Sequence, residues 1–86
     1  MNINQLIQIV KKKLIENFPC DKIQIEDKSF LHKNHKSNSS NKFHLKIIIK
    51  SNYLKKKNKI ESTKEIYKVL GKELKDNIHS IQILIS

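Results

Sequence analysis

Hydrophobic residues at the start of the chain recur every three or four positions, which is the spacing of one helical face. Asn2 is suited to cap such a helix. Pro19 ends it, because the residue before a proline avoids the helical region. The pattern predicts an amphipathic helix over the first eighteen residues, with its apolar positions at Ile3, Leu6, Ile7, Val10, Leu14 and Phe18.

Two stretches then alternate between apolar and polar residues, as half-buried strands do. Ile23 and Ile25 mark a short strand. A longer strand follows, with Phe43, Leu45, Ile47 and Ile49 on one side. The polar connection between them, at about 28–42, is far longer than the usual two-residue turn, so we expect a mobile hairpin loop there.

The second half of the chain predicts a helix and a closing strand. The polar link Ser51–Lys59 has room for a turn of helix. Ser62 and Glu65 have the spacing of a capping box, and they predict the start of a helix that runs past Gly71. A close backbone contact is one reason for a glycine inside a helix. The final strand has Ile81, Ile83 and Ile85 on one side.

These elements predict one small α+β domain over residues 1–86. Their order is helix, strand, strand, short helix, helix, strand. A hairpin plus a third strand that returns over a helix gives a three-stranded mixed sheet packed on helices.

The composition excludes several classes of site. A single glycine excludes glycine-rich nucleotide loops, and a single cysteine excludes an internal disulfide and cysteine-rich zinc fingers. The net charge is +10, carried by 18 lysines and no arginine. Either an anionic partner or the codon bias of an AT-rich genome explains this charge, because Ile, Lys and Asn make up 42 of the 86 residues.

Four histidines are the best candidates for chemistry, since imidazole is a common metal ligand. His32 and His35 lie in the predicted loop, and His44 lies on the outer side of the second strand. His79 starts the last strand and shares the parity of its isoleucines, which predicts partial shielding. We interpret Cys20 as a turn or core residue. No set of nucleophile and base is recognisable, so we expect no enzyme.

Lysines of the polar link form the other candidate site. Lys55, Lys56, Lys57 and Lys59 are suited to bind phosphates of a nucleic acid, with steep salt dependence. A solvated lysine-rich surface is the simpler interpretation.

Two stretches resemble motifs of the BolA-like protein family. Residues Asp27–His35 (DKSFLHKNH) resemble that family's Asp-Glu-Ser-x-x-His-x-x-His hairpin motif. Residues Ile66–Ile81 (IYKVLGKELKDNIHSI) resemble its Val-Tyr-x-x-Leu-x-x-Glu-Leu-x-x-x-Ile-His-Ala-Leu motif. The second strand, closing in Ser51, resembles the family's strand that closes in Val-Ser. Ser62-Thr63-Lys64 stands where the family often has Arg-His-Arg.

The resemblance implies a small BolA/KH-like fold and an adaptor role in iron–sulfur biology. Proteins of this family pair with monothiol glutaredoxins, and the pair holds a bridging 2Fe–2S cluster. By the resemblance, His79 and either His32 or His35 are the expected metal ligands of this chain, and thiolates come from the glutaredoxin and glutathione. No cofactor is expected on the chain alone.

The resemblance also leaves a second hypothesis open, a DNA-binding transcriptional regulator that uses a basic KH-like surface. For either role we expect a monomer or weak homodimer without a membrane partner. The lone cysteine and the lack of a recognisable signal peptide or membrane span predict a reducing, cytoplasmic setting.

Overall fold

A computed structural model describes residues 2–29 and 42–86. The predicted order of elements is confirmed, and the predicted loop of 28–42 falls mostly outside the described residues. The helices are α1 (Ile3–Asn17), α2 (Asn52–Lys56), α3 (Lys59–Val69) and α4 (Gly71–Asp76). The strands are β1 (Lys22–Asp27), β2 (Phe43–Lys50) and β3 (Ile78–Ile85).

The three strands form one mixed sheet in the order β1-β2-β3. β1 pairs antiparallel with β2, with Ile25 opposite Ile47. β2 pairs parallel with β3, with Ile47 opposite Ile83. The predicted mixed sheet is therefore confirmed, and β3 is an edge strand.

Helices and sheet share one apolar core, because the alternating isoleucines and leucines of the strands meet the apolar stripe of α1. Leu6, Val10 and Leu14 of α1 are fully buried. The remaining buried apolar residues are Phe18, Leu45, Ile47, Ile49, Leu54, Ile66, Leu70, Ile78 and Ile83. The other side of the sheet carries the residues that alternate with them, which are mostly polar, with Ile48 and Leu84 as exceptions.

α1 begins and ends where its sequence predicts. Asn2 and Gln5 form a reciprocal capping box, in which the Asn2 side chain accepts from the Gln5 backbone N–H at 2.8 Å. At the other end Phe18 has an extended backbone just before Pro19. Within the described residues, no helix has the length and apolar character needed to span a membrane.

The predicted start of the second long helix is wrong. Asn58, and not Ser62, is the cap, and its side chain accepts from the Glu61 N–H at 2.8 Å. Ser62 lies one turn further on and is fully buried. Its hydroxyl donates to the Leu54 carbonyl at 2.6 Å, so it fastens α3 to α2.

A break at Leu70 divides the predicted helix into α3 and α4. Gly71 is the first residue of α4, and a Cβ atom at this position would meet no atom within 4 Å. The proposed close contact at Gly71 is therefore absent. Hydrogen bonds still run across the break, with Leu74 N–H donating to the Leu70 carbonyl at 2.8 Å.

Candidate functional site

Two histidines come together on the face of the sheet that the helices leave uncovered. The ring centroids of His44 on β2 and His79 on β3 are 5.0 Å apart, and the rings are tilted by 55°. Both residues lie at the end of the sheet where β2 and β3 begin. Ser29 and Lys42, which bound the stretch outside the described residues, lie beside this end.

A bulge at the start of β3 creates this pairing. Phe43 pairs with Ile78, but His44 pairs with Ser80, so His79 is one extra residue in β3. The bulge places Ile78 in the core and leaves His79 exposed. The predicted partial shielding of His79 is therefore wrong. The prediction assumed a regular alternation of side chains along β3, and the extra residue of the bulge interrupts that alternation.

His44 is held by neighbours on both sides. Its Nδ1 atom lies 2.6 Å from Ser80 Oγ, a hydrogen bond that fixes the plane of the ring. Its backbone N–H donates to Ser29 Oγ at 3.1 Å, and its carbonyl accepts from the Lys28 N–H at 2.7 Å. Only 9% of His44 is exposed, whereas the neighbouring His79 is exposed.

A shallow hollow of about 220 Å³ lies next to His44 and is lined by Lys28, Lys46 and Ser80 among others. Lys28 Nζ lies 3.0 Å from Glu26 Oε1. Its hydrogen bond, with a smaller contribution from the charge of Lys46, holds the pKa of Glu26 below its ordinary value. Lys28 and Lys46 carry two positive charges and Glu26 carries one negative charge. This side of the imidazole pair therefore has a net positive charge.

The donor set suits a metal centre that is completed by another molecule. Within 2–29 and 42–86, no group of three or more His, Cys, Asp or Glu side chains is placed to hold a metal ion. Two neighbouring imidazoles supply part of a coordination shell that accepts nitrogen and sulfur ligands. The residues therefore fit shared ligation with a partner's thiolates.

Three further residues were singled out in the sequence, namely His32, His35 and Cys20. His32 and His35 lie outside the described residues, so their ligand role stays a prediction. Cys20 is half-buried and packs against the core, as the interpretation of a turn or core residue requires.

The predicted lysines lie around a groove between the α2–α3 link and the edge of β3. The groove has a volume of about 260 Å³ and is lined by Lys55, Lys57 and Lys59, with Ser62 and the end of β3. Lys56 is exposed but does not line it. Lys57 Nζ lies 3.3 Å from Glu65 Oε2 and 5.0 Å from the centre of the Tyr53 ring. The Glu65 carboxylate raises the pKa of Lys57 and offsets part of its charge.

Sequence reasoning named both His79 and His44 as candidates, but it did not predict their contact. Alternation along β2 placed His44 on the outer face, and the structure confirms this. No local signal reveals the bulge that brings His79 next to it. The available clue was that a histidine lies near the start of each of the last two predicted strands.

A family model described as BolA-like protein matches residues 14–86 of the chain. Among curated proteins, the DNA-binding transcriptional regulator BolA of Haemophilus influenzae is 32% identical over 76 residues. That match covers 88% of this chain and 71% of the relative.

Two solved structures from Arabidopsis thaliana share the fold. The BolA domain of SufE1 has a TM-score of 0.80 at 22% identity, covering 100% of this chain and 93% of that one. BolA1 has a TM-score of 0.75 at 22% identity, covering 92% of this chain and 87% of that one. They confirm the α+β fold that the sequence predicted.

Proposed function

This chain belongs to the BolA-like protein family, and on that premise we propose that it is a non-enzymatic adaptor for a monothiol glutaredoxin. In this role it co-ligates a 2Fe–2S cluster that the two proteins share, and it serves the assembly, trafficking or sensing of such clusters in the cytoplasm. The observation that carries the proposal is the exposed His79, held by a bulge beside His44.

The environment of His79 suits a ligand that is shared with a partner. The side chain is exposed at the end of an edge strand, so a second protein can approach it without displacing the core. Lys28 and Lys46, which line the hollow next to the neighbouring His44, favour an anionic guest, and a cluster held by thiolates is anionic. When bound, such a cluster with imidazole in place of thiolate has a raised reduction potential.

Reconstitution with a glutaredoxin tests this proposal. The protein is mixed with a monothiol glutaredoxin, iron, sulfide and glutathione under anaerobic conditions, and visible absorption and circular dichroism are recorded. We expect a spectrum of the heterocomplex that neither protein gives alone. H79A removes that spectrum, whereas K75A, a change at an exposed residue of α4, leaves it unchanged.

Two outcomes contradict the proposal. If no mixed complex forms, the adaptor role fails. If H79A gives the wild-type spectrum, the complex is real but His79 is not a ligand.

The second candidate function is DNA binding in transcriptional regulation. Two observations favour it. The Haemophilus influenzae relative is a DNA-binding transcriptional regulator, and a groove lined by lysines runs along β3. Lys55 and Lys59 are exposed at this groove and are available to phosphates. Lys57 already faces Glu65, so it contributes less.

A salt series distinguishes specific DNA binding from general attraction. A specific site should bind about 10³-fold or more tightly than random duplex. K55A and K59A should each lower the salt slope by about one, and K57A by less. Equal affinity for all duplexes leaves only lysine electrostatics and contradicts the regulator role.

A further inference from the structure

We propose that His44 and His79 act together as a pair of imidazole ligands for one metal ion, so that the sheet itself supplies two nitrogens. This inference rests on the proposed function and assigns a second ligand that the family resemblance did not place at position 44. It is carried by the geometry of the described residues alone.

The distance between the two rings fits one shared ion. An imidazole nitrogen binds a zinc ion at about 2.0–2.1 Å, so two imidazoles on one tetrahedral ion have ring centres about 5 Å apart. The observed separation of the His44 and His79 rings is 5.0 Å. The separation of the two rings is therefore the one that a shared ion requires.

Ser80 is placed to orient His44 for this role. Metal-binding histidines commonly donate their second ring N–H to a nearby oxygen, which fixes the tautomer and the ring plane. Ser80 Oγ lies 2.6 Å from Nδ1 of His44 and accepts from it in the tautomer that carries the proton on Nδ1. The arrangement assigns Nε2 of His44 to the metal.

The contact between His44 and His79 depends on the bulge at the start of β3. Without the extra residue, His79 would point with Ile81 toward the core and Ile78 would take the outer face. With it, both imidazoles lie on the uncovered face, and His79 is exposed there. A partner's thiolates can complete the shell from that side.

Zinc binding by the isolated protein tests the pair without a glutaredoxin. Zn²⁺ affinity is measured by competition with a chromophoric chelator, and ¹⁵N-labelled histidine rings are followed by NMR. We expect H44N and H79N each to weaken binding at least tenfold, and the double variant to be little weaker than either. K75N, which introduces the same residue at an exposed position of α4, stays within twofold of wild type. In the wild-type protein, one nitrogen of each of His44 and His79 shifts at the same stoichiometry.

The result that overturns the inference is a wild-type Zn²⁺ affinity in H44N, or a shift of the His79 ring alone. In that case the two rings form an offset aromatic contact, which the same distance also suits. Because His44 is nearly buried, thermal unfolding of H44N is recorded first, and the NMR titration of the wild-type protein decides if this variant does not fold.

The same variants separate this inference from the proposed function. A glutaredoxin heterocomplex that depends on His79 but not on His44 overturns the pair and keeps the adaptor. Zinc held by both rings, with no heterocomplex formed, keeps the pair and overturns the adaptor.

Discussion

Lys13 on α1 and Glu73 on α4 form a two-pronged ion pair, with Lys13 Nζ 2.8 Å from each oxygen of the carboxylate. Glu73 is buried, whereas about a third of the Lys13 side chain remains exposed. α4 leads directly through Asn77 into the bulge that carries His79. The ion pair therefore holds α4, the helix that leads into the candidate site, against α1.

Breaking this pair from the lysine side should cost more than breaking it from the acid side. K13M leaves a buried carboxylate without its cation, and we expect a loss of about 2 kcal/mol in the free energy of unfolding, less than for a fully buried pair. E73Q leaves a lysine that can turn to water, and we expect about 1 kcal/mol. Urea unfolding measures both. The matched control is K12M at an exposed position of the same helix, and equal stability of K12M and K13M would contradict this account.

Ser51 joins the end of β2 to two other parts of the fold. Its hydroxyl donates to the Pro19 carbonyl at 2.6 Å, and its oxygen accepts from the Leu54 N–H at the start of α2. S51A removes both bonds from a fully buried position, so we expect a loss of about 1–2 kcal/mol in unfolding free energy. A value near zero for S51A in the same urea experiment would show that neither bond stabilises the fold.

The helices and strands could largely be predicted from sequence patterns that extend over only a few residues. The apolar stripe of α1, the cap at Asn2 and the stop at Pro19 are local, and each is confirmed. The predicted start of α3 is wrong because two residues, Asn58 and Ser62, both have the type and spacing of a helix cap. Asn58 caps the helix, while the hydroxyl of Ser62 bonds the Leu54 carbonyl, a contact eight residues away that no local pattern reveals.

The candidate residues of the site could be named from the sequence, but their geometry could not be predicted. His79 was named from its motif, and the lysines of the groove from their clustering. The contact between His44 and His79 depends on a one-residue shift between two strands that are distant in the sequence. Alternation predicts which face a residue occupies only while the strand stays regular.

Gly71 offers a stabilising substitution that leaves the site alone. It is the first residue of α4, and a Cβ atom there would meet open space. G71A lowers the backbone entropy of the unfolded chain and meets no steric clash, so we expect a gain of about 0.5–1 kcal/mol. Thermal unfolding checks the gain, and a lower melting temperature for G71A would contradict the description of this position.

The carboxyl group of Glu26 should report the electropositive side of the imidazole pair. Its pKa is held below the ordinary glutamate value mainly by the hydrogen bond from Lys28, with Lys46 adding a weaker effect. Because the folded pKa is lowered, the small stabilisation is present above the unfolded pKa and is lost as the pH falls through the folded pKa. NMR titration of Glu26 should therefore give a low midpoint that K28M raises more than K46M. The same midpoint in K28M and wild type would contradict the assigned cause.

The most direct test of the central claim is pulsed EPR on the reduced 2Fe–2S heterocomplex, with ¹⁵N-histidine in this chain only and an unlabelled glutaredoxin. We predict hyperfine coupling of the cluster to ¹⁵N nuclei, and loss of the coupling that belongs to His79 in H79N. A reduced cluster in the intact heterocomplex without any coupling to nitrogen of this chain would contradict the claim that His79 is a cluster ligand.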